Sequence, residues 1–352
     1  MTLFYIFSAK DLHNSKISCN FAPEIENEAV RTFLLRPSGK DYIWGGTRLR
    51  DEFHKDLPQH PLAESWECST HPDGPSYVAS GEWAGESLTE VLKAHPELLG
   101  NSSSVTDLEG LPVLIKFIDA KNDLSVQVHP DDEYAHRMEN GQAGKTEMWY
   151  VVDAEPGAKL VYGLNRAASK EELLQSLENN TLEKYMNWVP VHKNDVFFIP
   201  SGTIHAIGRG VLIVEIQQSS NLTYRLYDYG RLGKDGKPRE LHVDKALDVA
   251  DLSGLQNPRQ PMRVLRYGKG FATELLAHCR YFEVSRGLLN SSDTVLPALP
   301  ESFRVLTCLE GEAELREENE TLTFRKGDTV FIPATSPGIH LSGQTEFLLT
   351  RC

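Results

Sequence analysis

From Arg31 onward the chain is dominated by short runs in which apolar and polar residues alternate, separated by turn residues, and this period of two predicts a mainly β protein. Leu124–His129 reads as a short strand with Gln127 and His129 on one face and Val126 and Val128 on the other. Glu147 opens a second strand, Met148–Val152. In 63–69 the alternation places Glu64, Trp66 and Cys68 together, opposite Ser65 and Glu67. In 221–229 it places Thr223, Arg225 and Tyr227 on one face. Leu111–Ile118 is apolar throughout except for Lys116, and Val211–Ile216 is apolar except for Glu215. A charge inside such a run needs a partner or a polar cavity. Val196–Ile199 is a further strand. Two stretches carry a helical period instead. Gly85–Gly100 aligns Leu88, Val91 and Leu92 before a terminal glycine. Ser169–Trp188 aligns Leu173, Leu174, Leu177, Leu182 and Tyr185 behind a Ser169/Glu172 capping box, and reads as a small helical insertion. Met1–Val30 is polar and irregular over much of its length, and is expected to be a poorly ordered extension with no assigned role.

A repeat divides the strand-rich part. Lys193-Asn194-Asp195-Val196-Phe197-Phe198-Ile199-Pro200 recurs as Lys326-Gly327-Asp328-Thr329-Val330-Phe331-Ile332-Pro333, each a turn feeding a strand that ends in proline. Two related β units are the economical explanation: one over 31–249 and a degenerate one over 250–352. The offset of the repeat carries His205 onto Gly338, so the second copy lacks that histidine. His340, two positions on, is a further metal candidate.

Composition narrows the function. The 352 residues suffice for two domains, and a net charge of −14 leaves no basic surplus for nucleic acid, while still allowing a phosphorylated small molecule. The 5 cysteines are scattered and never form a Cys-x-x-Cys pair, which predicts reduced thiols in a cytoplasmic protein. No apolar run has membrane-spanning length, so no membrane partner is expected. The oligomeric state is not written in the sequence.

The candidate chemistry lies between Ser125 and His205. Gln127, His129, Glu147 and His205 offer an amide oxygen, two imidazoles and a carboxylate, a set that suits a borderline divalent ion such as zinc. A lone histidine on a strand usually packs or hydrogen-bonds, so spacing leaves both readings open. The same holds for Lys116, Glu215 and Arg225, each of which can face either a site or a structural partner.

Taken together, Gln127-Val128-His129-Pro130-Asp131, Lys145-Thr146-Glu147, 199–206 with His205, and Tyr224-Arg225-Leu226-Tyr227-Asp228 resemble the type I mannose-6-phosphate isomerases of the cupin superfamily, in their short bacterial form. Ile43-Trp44-Gly45-Gly46 and Glu64-Ser65-Trp66-Glu67 resemble the family's N-terminal signatures. The resemblance implies two cupin-type jelly-roll β-barrels with a few short helices. It also implies one Zn2+ per chain, held by Gln127, His129, Glu147 and His205, and a sugar phosphate substrate. The reaction it implies interconverts mannose 6-phosphate and fructose 6-phosphate through a cis-enediol. Lys145 and Arg225 match cationic active-site positions and Glu215 an acidic one, with Glu215 a candidate general base. Family members often carry Asp where this chain has Asn221. Two other classes remain open: a non-catalytic sugar-phosphate-binding cupin protein, and an iron-dependent cupin dioxygenase built on the same ligand set.

Overall fold

A computed structural model describes residues 32–102, 110–254 and 264–352; the expected N-terminal extension lies outside the described residues. The strands form three antiparallel sheets. The first has six strands in the order Val196–Ile199, Glu147–Ala154, Val211–Gln218, Val113–Ala120, Glu64–Cys68 and Ser38–Lys40. The second has five: Tyr224–Tyr227, Val126–Val128, His205–Ile207, Lys159–Leu164 and Met186–Pro190. These two face each other, with Ile118, Trp149, Phe197 and Ile213 of one packed against Leu160, Tyr162 and Ile207 of the other. The expected jelly-roll fold is therefore present, built of facing sheets that do not close into barrels.

The central strands are apolar on both faces because both are covered. Ile118 and Ala120 point into the roll. Val113, Ile115 and Phe117 point outward, against Phe331, Val305 and Phe33 of the third sheet. That sheet has nine strands, among them the long Glu283–Leu296, Arg304–Glu317 and Ile339–Arg351, with a core of its own around Leu306, Phe324, Val330 and Phe347. Phe33–Arg36 joins it from the far end of the chain, pairing Phe33 with Phe331 and Leu35 with Thr329. Behind it, the buried Glu67 ties the six-stranded sheet to the third. It accepts hydrogen bonds from Lys55 (2.7 Å), from Ser65 (2.7 Å) and from Thr329 of the third sheet (2.9 Å).

The two copies of the repeated segment are alike in local structure. Val196–Ile199 and Thr329–Ile332 are both strands, and the residues entering them, Asn194 and Gly327, share a left-handed backbone (φ 70° and 91°). Asparagine tolerates that region. At Gly327 a Cβ would also lie 2.3 Å from the Phe53 carbonyl oxygen, so only glycine fits.

Three readings change. The helical pattern of 169–188 ends early: Lys170–Glu178 is helical and Leu182–Lys184 a 3-10 turn, but Met186–Pro190 is an edge strand paired with Lys159–Leu164. The capping box is present, with Glu172 N–H donating to Ser169 Oγ (3.2 Å) and Ser169 N–H to Glu172 (2.8 Å). A bulge between Trp66 and Cys68 turns Cys68 away from Glu64 and Trp66 into the core with Ile115 and Phe117. A second register shift, between Arg225 and Tyr227, pairs Tyr227 with Val126 and packs it with Leu226, away from the face of Arg225. Gly85–Gly100 resolves into Leu88–Ala94, capped by Ser87, and a 3-10 turn Pro96–Leu99. No helix among the described residues is long and apolar enough to cross a membrane.

Candidate metal centre and active-site cleft

Gln127 and His205 are cross-strand partners in the five-stranded sheet, and His129 follows two residues after Gln127 on the same face. Glu147 reaches them from the facing sheet. His129, Glu147 and His205 are all buried, and one ligand atom from each lies within 4.8 Å of the others. Gln127 Nε2 lies 3.4 Å from His205 Nε2, so the amide borders the group. His205 is oriented by its Nδ1, which donates to the Thr203 carbonyl at 2.8 Å and leaves Nε2 toward Glu147. His129 Nε2 is 3.1 Å from Glu147 Oε1, and Lys145 Nζ stands 2.5 Å from that same oxygen.

The electrostatics suit a cation. Burial, and after it the Lys145 ammonium, pushes the His129 pKa down to about 3, and burial lowers His205 as well, so both imidazoles are neutral donors at neutral pH. Burial would raise Glu147, but Lys145, His129 and His205 together hold it well below the usual carboxylate range. One atom within the group, His129 Nδ1, is buried without a hydrogen-bond partner, while Glu147 Oε1 is held by Lys145 and His129. Two neutral imidazoles and an ionised carboxylate converging in a buried group fit a divalent ion. His340, by contrast, is exposed on Ile339–Arg351 and joins no such group among the described residues.

Beside the centre opens a cleft of about 280 Å³, lined by Gln127, Lys145, Lys116, Glu215, Arg225 and Asn221 among others. Lys116 and Glu215 are register partners on adjacent strands, Nζ donating to Oε1 at 3.1 Å. Burial alone would lower the Lys116 pKa, but Glu215, Glu64 and Glu147 overcome it and raise it. Glu215 is raised, first by burial and then by the charge of Glu147, against the opposing Lys116. Arg225 is steadied by the Glu240 carbonyl (2.8 Å) and Ser125 Oγ (3.3 Å). Asn221 donates to Asp73 at 2.7 Å.

Gln127, Lys145, Glu215 and Arg225 thus line one cleft, and His129, Glu147 and His205 are buried behind Gln127 and Lys145. Periodicity missed several others. Trp149 donates its indole N–H to both Glu147 and Glu215, and Trp66 donates to Glu64 beside Lys116. Asp228 anchors Arg231 and Arg239, the latter lining the cleft. The recurrence of Glu-x-Trp at Glu64/Trp66 and Glu147/Trp149 was the available signal for the first two.

Facing sheets of a jelly roll with a buried His–Glu–His group beside a polar cleft define a protein of the cupin class. Residues 32–156 match the family described as phosphomannose isomerase type I, catalytic domain, and residues 272–351 match mannose-6-phosphate isomerase, cupin domain. The chain belongs to the type I phosphomannose isomerase family. It is 38% identical over 320 residues to mannose-6-phosphate isomerase ManA of Bacillus subtilis, covering 90% of this chain and 98% of that protein. It is also 38% identical over 309 residues to the mannose-6-phosphate isomerase of Streptococcus mutans, covering 88% and 94%. The crystal structure of the mannose 6-phosphate isomerase from Bacillus subtilis superposes with a TM-score of 0.85 at 35% identity, covering 91% of this chain and 99% of that one.

Proposed function

We propose that this chain is a metal-dependent aldose–ketose isomerase that interconverts mannose 6-phosphate and fructose 6-phosphate. The observation that carries the chemistry is the buried group of neutral imidazoles and ionised carboxylate beside a cleft that holds a carboxylate of raised pKa. Gln127, His129, Glu147 and His205 would hold one Zn2+. When bound, the ion supplies positive charge against the oxygens on which the intermediate gathers negative charge.

The protein groups do the rest. Glu215 takes the proton from C2 of the aldose and returns it to C1, while the hydroxyl proton passes from O2 to O1. Its raised pKa makes it a stronger base than an exposed glutamate. Lys145 adds a second positive charge beside the enediol oxygens. Arg225 presents a forked cation to the anionic groups of the substrate, with Ser125, Thr223 and Arg239 around it. Asn221 is an amide engaged with Asp73 at the rim, so the proton transfers are assigned elsewhere. In this reading 31–249 carries the chemistry and 250–352 supports it.

The test is turnover of mannose 6-phosphate by the purified protein before and after chelation, and again after zinc is restored. A His205→Ala variant runs beside it. Activity lost on chelation, regained with zinc and absent from the variant is expected. A folded, zinc-loaded protein without turnover refutes the reading.

A further inference from the structure

One row of side chains crosses the middle of the six-stranded sheet on its inner face. Trp149 is the register partner of Glu215, Glu215 of Lys116, and Lys116 of Trp66. A buried ion pair is thereby bracketed by two buried indoles. The two ends differ in what they hold. Trp66 donates to Glu64 alone at 2.7 Å. Trp149 splits its single N–H between Glu147 Oε2 and Glu215 Oε2, 3.0 Å from each, and its ring stands edge-on to His205 (centroids 5.4 Å apart, 75° between planes).

Two buried carboxylates facing one another repel, and each loses hydration in this interior. One donor shared between them fixes both rotamers and their separation. Glu215 Oε1 is already taken by Lys116, so the indole is what aims the remaining oxygen. We propose that Trp149 is a positioning residue that couples the metal centre to the proton-transfer carboxylate, orienting Glu147 as a ligand and Glu215 as a base through one shared N–H. The inference rests on the functional reading above for the roles of the two glutamates, and on the hydrogen bonds alone for their coupling.

The test uses the full chain in three forms: wild type, Trp149→Phe and Trp66→Phe. A fourth form has Trp149 replaced by benzothienylalanine, the sulfur isostere of tryptophan, which keeps the shape and lacks the N–H. Zinc affinity is measured by competition with a chromophoric chelator. Steady-state constants for mannose 6-phosphate are measured at saturating zinc. Loss of a hydrogen bond that orients a metal ligand weakens metal binding by about 10–100-fold. That loss is expected in both Trp149 forms and not in Trp66→Phe, whose indole touches no metal ligand. At saturating zinc, kcat is expected to fall in both Trp149 forms with KM little changed, because the substrate does not contact the N–H. Wild-type zinc affinity in the benzothienylalanine protein would overturn the inference, as would an equal loss in Trp66→Phe. The affinities decide this whether or not the wild type turns over, whereas absence of wild-type turnover strikes the functional reading alone.

Discussion

Removing the ammonium from the centre of the cleft gives the sharpest energetic test of the site. In Lys116→Met the side chain keeps its bulk, so little packing is lost, and what disappears is the ammonium that lies 3.1 Å from Glu215 and 5.0 Å from the centroid of the Trp66 ring. Both partners are almost fully buried, at 4% and 3% exposure. Breaking a buried pair by deleting one member costs about 3–5 kcal/mol, because the survivor is left charged in a poor solvent. Here Glu215 retains the Trp149 N–H and can also take up a proton, which places the expected loss at the lower end, about 3 kcal/mol. Urea unfolding of metal-free protein at neutral pH, followed by tryptophan fluorescence, measures it. Glu215→Gln and the double variant complete a cycle, in which the double variant should cost less than the sum by at least about 0.5 kcal/mol. A Lys116→Met loss below about 0.5 kcal/mol, or strict additivity, would refute the claim that the pair is held as an ion pair.

Three further outcomes are expected. His129 has its pKa pushed down to about 3 from 6.5, so below pH 6.5 the unfolded chain binds a proton that the folded chain refuses. Metal-free protein should therefore lose stability progressively from pH 6.5 toward 3, with no contribution from this group above pH 6.5. Thermal unfolding across that range should show the slope, and His129→Gln should flatten it. Asn221→Asp puts a carboxylate against the Asp73 oxygen that the amide now contacts at 2.7 Å, so kcat for mannose 6-phosphate should not rise. A clear gain would reassign the proton transfers to that position. Ser169→Ala removes one half of the capping box and should cost about 1 kcal/mol in thermal unfolding, with isomerase activity unchanged.

Much of the fold and site was legible because strand periodicity is strict. Gln127 and His129 share a face, and Val126 and Val128 fill the opposite core, as alternation requires. Lys116 and Glu215 announced themselves as charges in apolar runs, and they prove to be both paired and in the cleft. What alternation could not supply is where it breaks. The bulges after Trp66 and Arg225 leave no local signature, and each reverses the next side chain. Met186–Trp188 is a strand although it continues a helical pattern, because an edge of the five-stranded sheet is available to it. Trp149 matters through Glu215, 66 residues on in a neighbouring strand, which no window of sequence contains.

The pairing of Phe33 with Phe331 also has a consequence in time. At a synthesis rate of about 5–20 residues per second, the stretch between them takes roughly 15–60 s to make. Throughout that interval the Phe33–Arg36 segment has no strand to sit against on the side where Thr329–Ile332 will pair. The face of the Val113–Ala120 strand that Phe331 and Val305 will cover is equally bare. Completion of the core between the six-stranded sheet and the third sheet therefore waits on the Thr329–Ile332 strand. A nascent protein stalled short of Thr329 would present an open sheet edge and an uncovered apolar face together, the form in which this chain is most exposed to aggregation and to capture by chaperones.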